Sequence, residues 1–292
     1  MEKPKIKQLN LDLSVQGTKC SSEPKPFIKW AGGKRQLLED LVKNAPKQFN
    51  DYFEPFLGGG ALFFKLYTLG KIKRAHLNDS NKALIDAYTV VKEKPLELIA
   101  ELEDPKYVND EKTFYKIRAE EPTDLVKSTA RLFYLNKTAF NGLYRVNSKG
   151  HFNVPFGRYK KANILDEENI LAVSQALQKT EITCQDFEQA TKNAHANDFI
   201  YFDPPYHPLS KTSSFTSYTK EDFNEEDQKR LAKTFNELSN KGCFVMLSNS
   251  YNDLVLDLYH GYNVKIVQAS RMINCKGNGR GKIAEVMITN GY

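Results

Sequence analysis

An α/β fold on an open sheet is predicted, and two stretches carry the prediction. Phe199-Ile200-Tyr201-Phe202 is a short apolar run of the kind that forms a strand buried on both faces, and it ends in Asp203-Pro204-Pro205-Tyr206. Tyr52 to Leu57 reads as a second strand, Gly58-Gly59-Gly60 as a tight turn and Ala61 to Leu69 as a helix. Arg74 to Leu77 then reads as a further strand, ending in Asn78-Asp79. A glycine turn between strand and helix lets the backbone approach a ligand closely. An acid about 20 residues further on, here Asp79, stands at the separation that bonds a ribose hydroxyl. This unit points to a nucleoside-type cofactor.

The other elements follow in order. Residues 1–25 form a polar lead-in for which flexibility is expected. Phe27-Ile28-Lys29-Trp30-Ala31-Gly32-Gly33-Lys34 leads into an amphipathic helix through Leu37, Leu38, Leu41 and Val42. Gly-Gly-Lys resembles half a P-loop. The earlier glycine is missing, however, and Arg35 stands where Ser or Thr should be, which speaks against a nucleotide triphosphatase. Trp30, the chain's single tryptophan, suits a loop that covers a ligand; a core tryptophan at a helix start is the other reading. Helical stretches follow at Ala83 to Lys92, Leu96 to Leu102, Phe114 to Ala119 and Val126 to Thr138. Asn141 to Asn147 and Phe152 to Pro155 read as a hairpin around Ser148-Lys149-Gly150.

Ile164 to Leu177 is read as a helix returning to the sheet, and Glu181 to Cys184 as a strand ending at Asp186-Phe187. Asp198 to Phe202 leads to the tetrapeptide. Pro208 to Tyr218 is a small, hydroxylated loop suited to a phosphate backbone. Asn224 to Lys241 is an amphipathic helix closed by Gly242, and Phe244 to Leu247 a strand. Val264 to Ala269 and Ile283 to Thr289 form a final hairpin, whose connection carries Arg271, Lys276, Arg280 and Lys282.

Composition narrows the class. The 292 residues are 40% apolar, enough for a sizeable core, and no run approaches the length that spans a bilayer. Cys20, Cys184, Cys243 and Cys275 lie far apart without a C-x-x-C pair, so neither a disulfide framework nor a metal site is expected. A cytoplasmic protein is the default. The net charge is a mild +6, but it is unevenly spread. Lys127, Arg131, Lys137, Arg145, Lys149, Arg158, Lys160 and Lys161 fall in a stretch without Asp or Glu, interleaved with Phe133, Tyr134, Phe140, Tyr144, Phe152, Phe156 and Tyr159. Such runs are most often a solvated face; the aromatic interleaving favours nucleic acid.

The prolines after Asp203 donate no backbone N–H, so stiff carbonyl acceptors and a carboxylate stand beside the Tyr206 ring. That set suits a flat molecule bearing an amino group, although Pro-Pro alone would be read as a turn.

Phe-Ile-Lys-Trp-Ala-Gly-Gly-Lys, Glu-Pro-Phe-Leu-Gly-Gly-Gly-Ala, Asn-Gly-Leu-Tyr-Arg-Val-Asn, Phe-Asn-Val-Pro-Phe-Gly-Arg-Tyr and Asp-Pro-Pro-Tyr resemble, in order and spacing, the Dam-type DNA adenine-N6 methyltransferases of the D12 class. The likeness is strongest to those that modify GATC. It covers roughly residues 27–290. Asp-Pro-Pro-Tyr alone is shared with cytosine-N4 and some RNA methylases. The first motif together with Asn-Gly-Leu-x-Arg is more specific.

The resemblance implies a Rossmann-like S-adenosylmethionine-dependent methyltransferase sheet (residues 26–95 and 162–292). Into it would be inserted a mostly helical target-recognition domain with a β-hairpin (96–161). It implies catalysis by Asp203, Pro204 and Tyr206. The cofactor would be held by Trp30, Lys34, Phe56, Gly58, Gly60, Asp79, Asp186, Phe187 and Asp203. Duplex DNA would be contacted by Lys29, Phe140, Asn141, Leu143, Arg145 and Pro155. Lys29 and Arg145 would read guanines, Leu143 and Pro155 meet the thymine methyl, and Phe140 wedge into the stack. Many relatives have Tyr at that last position, so any bond from its hydroxyl is lost here. A bacterial or phage enzyme is implied, monomeric, with a cognate restriction endonuclease as a possible companion. A methylase of cytosine N4 or RNA adenine is the alternative, and a DNA-binding module without catalysis is a third. The mechanism requires Asp203 to be free of a buried salt bridge and near a cleft lined by Trp30 and Asp79.

Overall fold

The computed structural model describes residues 22–30, 32–34, 37–206, 223–270 and 282–292. Among them seven strands form one sheet: β1 (Tyr52–Glu54), β2 (Ala75–Asn78), β3 (Thr180–Thr183), β4 (Phe199–Phe202), β5 (Phe244–Ser250), β6 (Asn263–Ser270) and β7 (Lys282–Thr289). Their order is β3-β2-β1-β4-β5-β7-β6. β1 to β5 pair in parallel, and β7 runs antiparallel to both β5 and β6. From β1 the chain builds outward one way through β2 and β3. From β4 it builds the other way through β5. The strand order reverses between β1 and β4, and the carboxyl ends at such a reversal are where open α/β sheets place their ligands.

The apolar strands alternate between two cores. Tyr52, Phe199, Tyr201 and Met246 face one, while Phe53, Ile200, Phe202, Val245 and Leu247 face the other. Burial on both faces explains why these runs look continuously apolar. The first core is closed by α1 (Leu38–Asn44), α2 (Ala61–Thr68), α3 (Lys82–Glu93) and α7 (Glu167–Leu177). Leu98, Phe114 and Phe133, from α4 (Pro95–Leu102), α5 (Glu111–Ala119) and α6 (Leu125–Thr138), continue the same core. The second is closed by α8 (Phe187–Thr191), α9 (Glu225–Asn240) and α10 (Asp253–Leu258). None of these helices is long and apolar enough to cross a membrane.

Several boundaries differ from the sequence reading. β1 stops at Glu54, because Pro55 lacks the N–H a parallel ladder needs. α8 and α10 span five and six residues, too short to show a helical period. The expected hairpin after α6 is reduced to two isolated bridges, Val146 with Phe152 and Ala139 with Phe156. Asn141 and Gly142 turn left-handed, at φ 56° and 64°, so the chain cannot run extended there. The Asn147 N–H donates to the His151 carbonyl and the Asn153 N–H to the Arg145 carbonyl, so a short hairpin does close. The Asn147 side chain, however, accepts from the Lys149 and His151 amides and takes the His151 N–H from the ladder. Lys25, at the end of the expected lead-in, is held to α7 through Asn169, which accepts from its N–H and donates to its carbonyl. The Pro208 to Tyr218 loop and the connection between β6 and β7 lie outside the described residues.

Candidate active site and nucleic-acid face

β1 and β4 end alike, in an acid followed by proline: Glu54-Pro55 and Asp203-Pro204. Both acids therefore leave the sheet at its switch point. Gln228 of α9 donates to the Pro205 carbonyl at 3.2 Å and accepts from Asn249 at 2.9 Å, which braces the prolyl tip against β5. Tyr206 donates to Glu285 of β7 at 2.7 Å, tying its ring to the other side. Pro204 is buried.

Asp203 is not the free carboxylate that the sequence reading required. Lys34 brings its ammonium to 2.8 Å from Oδ1, with side-chain exposures of 7% and 18% for lysine and acid. The approach is an ion pair without hydrogen-bond alignment at Oδ1. Lys34 also donates to the Gly32 carbonyl at 2.8 Å and stands 4.5 Å from the centre of the Tyr206 ring. The bridge is thus formed inside the site, between residues expected there, and its ammonium occupies the space between carboxylate and ring. Burial raises the Asp203 pKa to about 6, against the lowering influence of Lys34. Glu54 is more strongly affected. Burial lifts it to about 8, with Tyr52 donating a 2.9 Å hydrogen bond that opposes the rise and the Asp203 and Asp79 charges adding to it.

The glycine turn is held to the end of β2 by Asp79. Its Oδ2 accepts from the Gly58 amide and its Oδ1 from the Asn81 amide, both at 2.9 Å. Burial raises the Asp79 pKa. Gly58 is at φ 48°, and a Cβ there would lie 2.9 Å from Trp30 Cδ1, so the indole rests directly on the turn. Gly60, at φ 66°, has Tyr88 Oη where a Cβ would go, and Tyr88 donates to the Gly58 carbonyl at 3.1 Å. Asp186 caps α8 and pairs with Arg230 at 3.0 Å. The Phe187 ring is buried between Phe56, at 5.5 Å, and the Arg230 guanidinium, at 4.9 Å. Asp79 and Asp203 are the charged acids here, Glu54 being held largely protonated. With acceptors so close together, the site favours a ligand that is cationic and bears amino groups. A basic cavity lined by Lys73, Arg74, Lys179, Thr180 and Glu181 lies at the opposite strand ends, away from this chemistry.

Lys29, Phe140, Asn141, Arg145 and Pro155 are exposed, and Leu143 is half-buried. Phe140 is 47% exposed, and its amide donates to the Pro155 carbonyl at 2.9 Å, which joins the two ends of the loop. Arg145 donates to Asn153 Oδ1 at 2.7 Å. The basic run is not uniformly a surface. Arg131 turns inward to the Ile117 and Arg118 carbonyls, whereas Lys127, Lys149, Lys160 and Lys161 stay exposed.

Sequence reasoning missed Glu54, Glu285, Tyr144 and Asn136. Glu54 had a signal, since its acid–proline step repeats that of Asp203. Tyr144 stacks on Trp30 with ring centres 5.1 Å apart, and Glu285 arrives from a distant strand; local patterning shows neither.

Fold and site together define an α/β protein with an enclosed acidic site at the switch point of its sheet. Residues 30–273 match the model of the D12 class N6 adenine-specific DNA methyltransferases, and the chain belongs to that family. It is an adenine-specific DNA methyltransferase. It is similar to the type II methyltransferase M.MjaIII of Methanocaldococcus jannaschii, with 48% identity covering 92% of this chain and 99% of the relative. With the type II methyltransferase M1.LlaDCHI of Lactococcus lactis, identity is 45% over 91% and 95% of the two chains. With the DNA adenine methylase of Escherichia coli it is 34% over 89% and 93%.

Proposed function

We propose that the enzyme methylates the adenine of GATC in duplex DNA with S-adenosylmethionine as donor. The observation that carries the chemistry is the braced Asp203-Pro204-Pro205-Tyr206 tip at the switch point. The GATC assignment rests on the resemblance of the Lys29 and Phe140–Pro155 segments, and the exposure of most of their assigned residues supports it.

The donor fits the residues present. Asp79 stands beside the glycine turn, whose missing side chains admit Trp30 and Tyr88, and the Asp79 and Asp203 charges match a cationic ligand. Trp30, Lys34, Phe56, Gly58, Gly60, Asp186 and Phe187 complete the assigned cradle. Bound there, S-adenosylmethionine supplies an electrophilic methyl group on a sulfonium.

Adenine N6 is a weak nucleophile because its lone pair is delocalised into the ring. The base lies out of reach inside a duplex, so it is flipped out, and its π-face is taken by Tyr206. The Asp203 carboxylate and the Pro204 carbonyl accept the two N–H groups and draw the nitrogen toward a tetrahedral form. Lys34 must first withdraw from Asp203, because its ammonium stands where that amino group goes. Fixed acceptors and alignment supply most of the acceleration.

The same proposal makes the enzyme a cytoplasmic monomer with a cognate endonuclease acting on its site. Mapping methyl marks in DNA from a methylation-free host that expresses the chain tests the reading. N6-methyladenine confined to GATC is expected. Marks at another sequence would remove the site assignment, and N4-methylcytosine would remove the base.

A further inference from the structure

Lys29, Trp30 and Lys34 are close neighbours in the chain, yet they reach three separately built parts of the molecule. Lys34 grips Asp203, and Trp30 lies on the glycine turn and stacks with Tyr144 of the recognition loop. Lys29 is fastened to the last turn of α6 by Asn136. The Asn136 Oδ1 accepts from the Lys29 amide at 2.8 Å. Its Nδ2 donates to the Lys29 carbonyl at 2.8 Å and to the Gly142 carbonyl at 3.1 Å. Asn136 is fully buried, and both of its amide protons are used. Pairing with both backbone groups of Lys29, it acts as a one-residue strand partner. Gly142 closes the other side: a Cβ there would lie 2.5 Å from Lys29 Cδ.

A buried asparagine satisfied within the core would be the plain account, and any core backbone would then serve as its partner. Here the clamped residue is instead the exposed lysine assigned to base reading. The third bond goes to the turn that follows Phe140 and Asn141. We infer that Asn136 is a positioning residue for DNA sequence recognition. It fixes the root of the Lys29 side chain relative to the Phe140–Arg145 loop, so that contacts from two distant chain segments meet the bases in one register. Asn136 does so from inside the protein, without touching DNA. The inference rests on the assignment of Lys29 and the loop to base reading.

The test uses the full chain as wild type, Asn136→Ala, Lys29→Ala and the double variant. Each is assayed on the mapped site and on duplexes altered one base pair at a time, with rates normalised to active enzyme by burst amplitude. Lys29→Ala should lower discrimination at one base pair by about tenfold. Asn136→Ala should lower it severalfold at that same pair and add nothing in the Lys29→Ala background. Should Asn136→Ala not fold, Asn136→Asp is read in the same way; it keeps the acceptor for the Lys29 amide and loses both donors. The inference is overturned if the Asn136 variants reduce only the active fraction with every preference intact, or if the two effects are independent. Lys29→Ala without any change of preference would instead sink the base-reading assignment, and this inference with it.

Discussion

At the strand ends, Asp203, Glu54 and Asp79 are enclosed and each is bound: Asp203 and Asp79 to Lys34 and the Gly58 amide from elsewhere in the chain, Glu54 to the Tyr52 hydroxyl of its own strand. In the loop after α6, Phe140, Asn141, Arg145 and Pro155 stand in solvent on a backbone with two isolated bridges and one buried asparagine beneath it. On the proposed function, the difference follows from what each region would meet. Chemistry on a weak nucleophile needs acceptors that do not relax, which enclosure provides at a cost in ionisation free energy. A DNA surface supplies its own order on contact, so exposed side chains on a lightly fastened loop suffice there. Substitutions in the two regions should accordingly fail in different ways.

The largest expected effect lies at the strand ends. Asp203→Ala should lower methyl transfer by about a thousandfold or more while thermal unfolding stays cooperative. Tritium transfer from labelled cofactor to duplex DNA measures this, and near-normal turnover would take Asp203 out of the reaction. In the loop, Arg145→Ala should cost about 1–3 kcal/mol of discrimination at one base pair and much less turnover on the best site. An equal loss on every duplex would make Arg145 a phosphate contact, and the contrast between the regions would weaken.

A third prediction concerns pH. Asp203 must be ionised to accept, so kcat/KM should fall roughly tenfold per unit as the pH drops below about 6. Lys34 lowers the Asp203 pKa, so Lys34→Met should move that limb upward. A limb that stays in place would show that another group titrates.

The last effect is on stability and leaves the chemistry aside. The folded pKa of Glu54 is raised from 4.5 to about 8, so the folded state holds the proton more tightly than the unfolded one. Its contribution to stability is complete below about 4.5 and is lost as the pH rises through about 8. Glu54→Gln should therefore match the wild type near pH 4 and melt above it at pH 9. Parallel melting curves across that range would show that Glu54 is not held protonated.

Strands, the main helices and the acid–proline tip were legible because each is written in consecutive residues: an apolar run, a helical period or a fixed dipeptide. What stayed hidden depends on approach between distant segments. The Lys34–Asp203 pair joins residues far apart in the chain, and Trp30 finds its second face on Tyr144. The hairpin around Ser148-Lys149-Gly150 was read correctly in place but too long, because the left-handed backbone at Asn141 and the side-chain bonds of Asn147 keep it to one bridge. The basic run was over-read for a similar reason, since the sequence shows the charge of Arg131 but not that two carbonyls take it inward.

β7 is inserted between β5 and β6 and carries Glu285, the residue that holds the Tyr206 ring. During synthesis the central slot of this half of the sheet therefore stays open until residue 289 has left the ribosome. The Tyr206 ring therefore gains its Glu285 acceptor only once that late strand has slotted in between two earlier ones.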